Sequence, residues 1–151
     1  MTIQIDSREK PHAIRRIVSY FDKNGIGHFT AKLNVGDYVN AENPRIAVDR
    51  KQNLDELCAN LTSGDRGRFF REIRRAKETG VKLIILCEHG GAVKSIRDVG
   101  NWRSRFSPFG GRELMDRIYK VHISYGVEFL FCDKRRTGEE IARLLRTTIQ
   151  L

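Results

Sequence analysis

An α/β fold with a mixed central sheet flanked by helices is the architecture this sequence predicts, on three observations. Residues Val81 to Cys87 form a nearly unbroken apolar run of strand length, the pattern of a strand covered on both faces. A second such run, Val127 to Cys132, follows a helical stretch marked by Leu114, Ile118, Val121, His122 and Tyr125, and a helix between two buried strands implies a parallel crossover. Ahead of these, short strands separated by Gly36 and by Asn43-Pro44 read as a small antiparallel meander. The front half of the sheet is therefore expected to be antiparallel and the back half parallel.

Each element has its own signal. Ile3 to Ile5 alternates and stops at Asp6, a strand running into a turn at Ser7 and Arg8. A helix follows: Pro11 suits a first helical turn, Ile14, Ile17, Val18 and Phe21 recur at helical spacing, and Asn24-Gly25 supplies the stop. Strands are expected over about His28 to Asn34, Tyr38 to Ala41 and Arg45 to Lys51. Asn53 with Glu56 three residues on resembles a capping box for a short helix carrying Leu54, Leu57, Cys58 and Leu61, closed by Thr62-Ser63-Gly64. From Gly67 to Thr79 a second helix sets Phe69, Phe70, Ile73 and Ala76 on one face and Arg68, Arg71, Arg74 and Arg75 on an adjacent one. Thr137 with Glu140 reads as the cap of a last helix through Leu145.

The 151 residues carry 28 Lys+Arg against 19 Asp+Glu, a formal net charge of +9, so a polyanion is the first partner to consider. No repeat, low-complexity run or linker interrupts the chain, and a single domain over residues 1–151 is expected, long enough to bury a core without disulfides or structural metal. No apolar run approaches the ~18 residues a membrane helix needs, which argues against a membrane span. The N-terminus has no basic segment followed by an apolar one, so a cytoplasmic location is expected, at the nucleoid in a bacterium or in the nucleus in a eukaryote. Cys58, Cys87 and Cys132 are odd in number with no C-x-x-C pair, which disfavours a disulfide framework and a zinc ribbon; all three read as reduced and buried. His12, His28, His89 and His122 lack paired metal-ligand spacing, and His122 reads as packed on its helix stripe.

The stretch richest in chemistry is Asp37 at the head of one strand and Asp49-Arg50-Lys51 at the end of the next. Alternation along a strand points Asp49 and Lys51 the same way and Arg50 the opposite way, and a neighbouring hairpin strand can bring Asp37 beside them. Carboxylates placed together repel unless a hard cation sits between them, and Mg²⁺ prefers one or two carboxylates plus waters and phosphate oxygens. An adjacent lysine can orient or help deprotonate water and stabilise charge on an attacked phosphate, which points to metal-assisted phosphodiester hydrolysis. Acid, gap, acid-x-lysine is the core pattern of the PD-(D/E)-x-K nucleases.

Together with its flanking residues, this stretch resembles the nuclease domain of the XPF-type structure-specific endonuclease family, whose signature runs G-D, a spacer, then E-R-K-x-x-x-D. Here Gly36-Asp37 is followed by Asp49-Arg50-Lys51-Gln52-Asn53-Leu54-Asp55. The family's D-x-R-E is similar to Asp6-Ser7-Arg8-Glu9, its glycine-arginine helix to Gly67-Arg68-Phe69-Phe70-Arg71-Glu72, and its apolar strand ending in an acid to Ile84-Ile85-Leu86-Cys87-Glu88. The resemblance covers most of the chain, is densest from Met1 to Glu88, and implies a restriction-endonuclease-like nuclease core. It further implies that Asp37 and Asp49 ligate Mg²⁺ or Mn²⁺, that Lys51 serves the water, that Asp6 and Arg8 line the site, and that Arg50 and Asp55 support it. Two departures stand out. Asp49 occupies the position where the family usually has Glu, an arm shorter by one methylene, and the tandem helix-hairpin-helix module that commonly follows in the family is not expected within these 151 residues.

Several of these residues also have a plain structural reading. Asp6 can be a turn residue, Arg50 the partner of a surface acid, Asp55 a carboxylate favoured at a helix N-terminus, and Glu88 a solvated strand-end acid. Arg68, Arg71, Arg74 and Arg75 can grip phosphates or simply face solvent, and the +9 charge favours DNA. Arg97, Arg103 and Arg105 around Trp102, Phe106 and Phe109 can stack unpaired bases, or form an aromatic plug on the core or a subunit contact. The expected activity is a Mg-dependent endodeoxyribonuclease that cuts branched or flap-bearing DNA. Its alternatives are a PD-(D/E)-x-K nuclease of other specificity, such as a junction resolvase, and a catalytically silent DNA-binding module. The resemblance also implies a homodimer, through the helix around Leu114 to Tyr125 and the C-terminal helix, and leaves room for a DNA-targeting partner protein.

Overall fold

The computed structural model describes residues 1–64, 66–105 and 108–147. Its strands are β1 (Thr2–Ile5), β2 (Gly27–Thr30), β3 (Tyr38–Asn40), β4 (Ile46–Lys51), β5 (Lys82–Cys87) and β6 (Glu128–Phe131). Its helices are α1 (Arg15–Lys23), α2 (Leu54–Thr62), α3 (Arg66–Thr79), α4 (Gly111–Tyr125) and α5 (Thr137–Arg146). The strands form one mixed sheet in the order β2-β1-β3-β4-β5-β6. β3 runs antiparallel to β1 and β4, whereas β1–β2, β4–β5 and β5–β6 are parallel pairs.

The expected meander is therefore only half right. β2 does not pair with β3; it lies at the sheet edge, parallel to β1, with Ile3 opposite His28. The reason is α1, which connects β1 to β2 as a crossover and so returns the chain parallel to its start. β1 then fills the place beside β3, and the segment after β2 crosses the end of β1, where the Ala31 N–H donates to the Ile5 carbonyl at 3.0 Å. β2 is also shorter than expected, ending at Thr30. β6 is the opposite edge, with Phe129 its one buried residue, because among the described residues no strand pairs on its far side.

Alternation along the central strands sorts the apolar residues into two cores. Ala47, Leu83, Ile85 and Cys87 face α2, α3 and α4, packing with Leu57, Leu61, Phe69, Ile73, Leu114 and Ile118. Ile46, Val48, Ile84 and Leu86 face α1 and α5, packing with Ile17, Phe21, Ile141 and Leu145. Each such large side chain contributes about 1.5–3 kcal/mol by burial. All six residues of β4 are buried. Continued past Val48, the same alternation sends Asp49 and Lys51 to the α2–α3 side and Arg50 to the α1–α5 side.

Helix ends follow the sequence in part. The Asn53 side chain accepts the Glu56 N–H at 2.8 Å, as its position suggests, while the Glu56 carboxylate reaches back to the Gln52 N–H at 2.7 Å. Thr137 is not a cap: it is the first residue of α5, and its hydroxyl donates to Glu88 at 2.8 Å. Pro11 sits in a turn that precedes α1, which begins at Arg15. Trp102 and Phe109 pack against the α4-side core, consistent with the plug reading, and Phe106 lies outside the described residues. His122 closes the α4–β6 turn through Nδ1 and the Val127 carbonyl at 2.7 Å. The three cysteines are free, Cys132 being only half-buried, and among the described residues no helix is long and apolar enough to cross a membrane.

Two adjacent glycines test the packing where α4 begins. A Cβ on Gly111 would fall on the carbonyl oxygens of Val99 and Trp102, whereas one on Gly110 would meet nothing. Gly111→Ala should destabilise the protein by at least ~2 kcal/mol and Gly110→Ala by under ~0.5 kcal/mol, read from urea denaturation midpoints.

Candidate active site

A cleft of about 730 Å³ opens at the end of β4, walled by the β1–α1 turn, the segment between β2 and β3, and helices α2 and α3. On its floor lie Asp37, Asp49 and Lys51. Asp37 is fixed by backbone: its N–H donates to the Val48 carbonyl at 2.8 Å, and its carboxylate accepts the Arg50 N–H at 2.8 Å. The preceding Gly36 has φ of 72°, and a Cβ there would stand 2.9 Å from the Ala47 Cβ and 3.1 Å from the Val48 oxygen. Only glycine lets the chain approach β4 this closely. Asp49 and Lys51 are 5% and 7% exposed. The Lys51 ammonium lies 3.4 Å from Asp49 and 5.1 Å from the centroid of the Phe69 ring, which steadies it as a cation over an aromatic face.

Glu72 of α3 joins this floor and shares a hydrogen bond with Asp49. Placed this close, the three carboxyls oppose one another's ionisation. Burial, then the charges of Asp49 and Glu9, hold Asp37 well above the usual carboxylate range. Burial and Asp49 push Glu72 up to about 8. Burial works against charge on Asp49 as well, but the Lys51 ammonium and the hydrogen bonds from Glu72, Asp37 and Lys51 hold it below its ordinary value. Charge in the cluster is therefore favoured on Asp49, beside the Lys51 ammonium, and disfavoured on Asp37 and Glu72.

Arg50 turns to the other face of the strand. Its guanidinium makes a bidentate pair with Glu9, at 2.9 and 3.0 Å, and a third bond to Glu88, while Tyr38 donates to Glu9 at 3.0 Å. Arg50 is thus a buried tie between the β1–α1 turn, β4 and the end of β5. Asp6, 1% exposed, accepts the Arg8 side chain at 2.7 Å and the Leu33 N–H at 2.8 Å, so it orients Arg8 and anchors the segment after β2. Asp55, in the first turn of α2, accepts the Ser104 hydroxyl and ties the Trp102 region to that helix.

The model of the ERCC4 domain matches residues 5–144, nearly the whole length of the chain. The chain belongs to the ERCC4 domain family. No curated protein sequence matches it. Among solved structures, XPF from Aeropyrum pernix is similar with a TM-score of 0.69 and 21% identity, over 97% of this chain and 64% of that one. A structure of XPF from Aeropyrum pernix in complex with DNA gives 0.67 and 22%, over 96% of this chain and 63% of that one. At that identity the likeness shows a shared fold, and this chain spans under two thirds of the length of those proteins.

Within this ERCC4 domain the structure divides the α3 arginines. Arg68 and Arg75 line the cleft with Glu72, one and two turns apart on the same face, and Arg75 donates to the Asn34 carbonyl at 3.0 Å. Arg71 and Arg74 are exposed outside it, because helical spacing carries them further round. With Arg8, Lys10 and Lys32, the two inward arginines make a cationic rim above an acidic floor. Sequence reasoning passed over Glu72 and Glu9 as site residues, although both end motifs it quoted; Glu72 falls three residues after buried Phe69, a spacing that points it toward the β4 end. The donor set suits a hard divalent cation: it is all oxygen, and the crowding that pushes Asp37 and Glu72 up is a repulsion that a cation would relieve. Among the described residues, no group of three or more His, Cys, Asp or Glu side chains is arranged to hold a metal.

Two outcomes follow for stability. Arg50→Leu leaves Glu9 and Glu88 buried without their cation and should cost about 3–5 kcal/mol in denaturant unfolding, with Glu88→Gln in the same chain recovering part of it. Glu72 has a folded pKa of about 8 against an ordinary 4.5, so its contribution is fully present below about 4.5 and is lost as pH rises through 8. In chelator-containing buffer, Glu72→Gln should therefore melt higher than the wild type at pH 8.5, with the difference vanishing near pH 4.

Proposed function

We propose that this ERCC4 domain is a divalent-metal-dependent DNA endonuclease acting on branched or flap-bearing DNA. The observation that carries the reading is the layering of the cleft: Asp37, Asp49 and Lys51 on a buried floor, with Arg8, Lys10, Lys32, Arg68 and Arg75 around its mouth. A polyanion is drawn to such a rim by counterion release, and its phosphate is delivered to a floor that needs a cation. Membership of the ERCC4 domain family and the likeness to an XPF solved with DNA support the same substrate class.

In this reading Asp37 and Asp49 hold one Mg²⁺ or Mn²⁺, which when bound polarises the scissile phosphate and acidifies water. The Lys51 ammonium, pinned between Asp49 and the Phe69 ring, orients the attacking water and balances charge building on the phosphate. Arg8, held by Asp6, and Arg68 and Arg75 neutralise the flanking phosphates. Arg50 acts as a positioning residue: its backbone N–H aims Asp37, and its side chain braces the turn that carries Arg8.

Cleavage of a fluorescent splayed-arm DNA in Mg²⁺ or Mn²⁺ tests this. Asp37→Asn, Asp49→Asn and Lys51→Ala should each lower the rate by ~10²-fold or more. Affinity measured in Ca²⁺ should stay within ~3-fold and weaken steeply with salt. Binding without cutting by the wild type would favour the silent module, and equal cutting of linear and branched DNA a general nuclease. We further propose a homodimer through α4, whose Ile123 is 78% exposed beside the exposed Tyr119; α5 offers less, since Ile141, Ala142, Leu144 and Leu145 are spent on its own core. Ile123→Glu should convert dimer to monomer in light scattering.

A further inference from the structure

The opposite face of the β4 end carries a second concavity that the cutting chemistry does not use. It holds about 350 Å³ and is lined by His12, Ala13, Arg15 and Arg16 at the entry to α1, by Glu88 after β5 and by Lys134 after β6. Arg15, Arg16 and Lys134 are exposed and, among the described residues, their side chains form no ion pair or hydrogen bond. Neighbouring exposed arginines behave differently: Arg135 pairs with Asp133, Arg136 with Glu139 and Arg143 with Glu140. The one acid in the wall, Glu88, has Oε1 engaged by Arg50 and Oε2 by the Thr137 hydroxyl. Three permanent cations therefore face one carboxylate that is already occupied. α1 also starts without a side-chain cap, adding the partial positive charge of its N-terminus.

Position narrows the choice of anion. Ala13 lines both this concavity and the main cleft, so the segment around residues 10–13 is the ridge between them. The two basins lie on opposite faces of the sheet, divided by Arg50 with Glu9 and Glu88. A short duplex is stiff, with a persistence length of about 150 base pairs, so following both faces of the sheet round the ridge would require bending it. Two backbones diverging from a branch point can occupy both.

We propose that this concavity is a second phosphate-binding site, one that takes the backbone of a second arm of a branched DNA while the first arm lies in the cleft of Asp49 and Lys51. The inference rests on the DNA reading of that cleft and adds a physical source of preference for branched over linear substrates. Fluorescence anisotropy in Ca²⁺, with splayed-arm DNA and a linear duplex of equal length, tests it. Arg15→Gln with Arg16→Gln should weaken splayed-arm binding ~10-fold and flatten its salt slope by about 1.8, the value for two lost phosphate contacts. Lys134→Gln should weaken it ~3-fold, and both variants should leave linear-duplex affinity within ~2-fold. Lys23→Gln with Arg45→Gln removes two exposed charges at the far end of the sheet and should change neither affinity by more than ~2-fold. Unchanged splayed-arm affinity, or equal losses on both DNAs in the cradle and far-end variants alike, would overturn the second site and leave the main cleft standing. A wild-type protein that binds neither DNA would overturn both readings.

Discussion

Three consecutive ionisable side chains, Asp49, Arg50 and Lys51, are buried at the end of a strand with no exposed residue, and the site takes its form from how that burial is compensated. Each buried ion costs several kcal/mol unless partners replace its water. For Arg50 the partners come from the β1–α1 turn and the end of β5, so three chain segments meet at one guanidinium. Burial by itself would disfavour that charge; the bonds to Glu9 and Glu88 outweigh it and raise the Arg50 pKa. The same strand residue also donates its N–H to Asp37, so its side chain and its backbone organise opposite faces of the sheet.

On the Asp49 side the compensation is incomplete. Three carboxyls meet one ammonium, so that Asp49 is held low beside Lys51 while Asp37 and Glu72 are pushed up. Folded proteins keep such conflicts where chemistry needs them, because a cluster that is uncomfortable without a cation binds one when it arrives. Around it, exposed cations collect at the mouth, where water keeps them cheap and a polyanion can reach them. Acid below and base above is the electrostatic order that the proposed metal-assisted attack on a phosphate calls for.

Much of this was legible from residue patterns. The buried run of β5, the helix before β6 and the alternation at Asp49-Arg50-Lys51 all take the form that period and polarity dictate, since they depend on neighbours a few residues away. Readings failed where distant segments decide. β2 was placed beside β3 because they are adjacent in sequence, but a helical crossover puts β2 beside β1. Thr137 looked like a cap by local chemistry, yet a carboxylate 49 residues away takes its hydroxyl. Arg68, Arg71, Arg74 and Arg75 look alike on one helix, and the position of the β4 end selects Arg68 and Arg75.

By itself the sequence determined the α/β class, the strand that carries the acid-x-lysine pair, the face each of its residues takes, and the basic character of the partner surface. These follow from side-chain alternation, apolar period and net charge, all of which are local or summed properties. Tertiary structure alone decided that Glu72 closes on Asp49, that Arg50 is consumed by Glu9 and Glu88, and that Arg15, Arg16 and Lys134 form a second basic hollow behind the first. Those outcomes depend on which segments the sheet order brings to the end of β4, and pairing between strands far apart in the chain is settled by the packing of the whole.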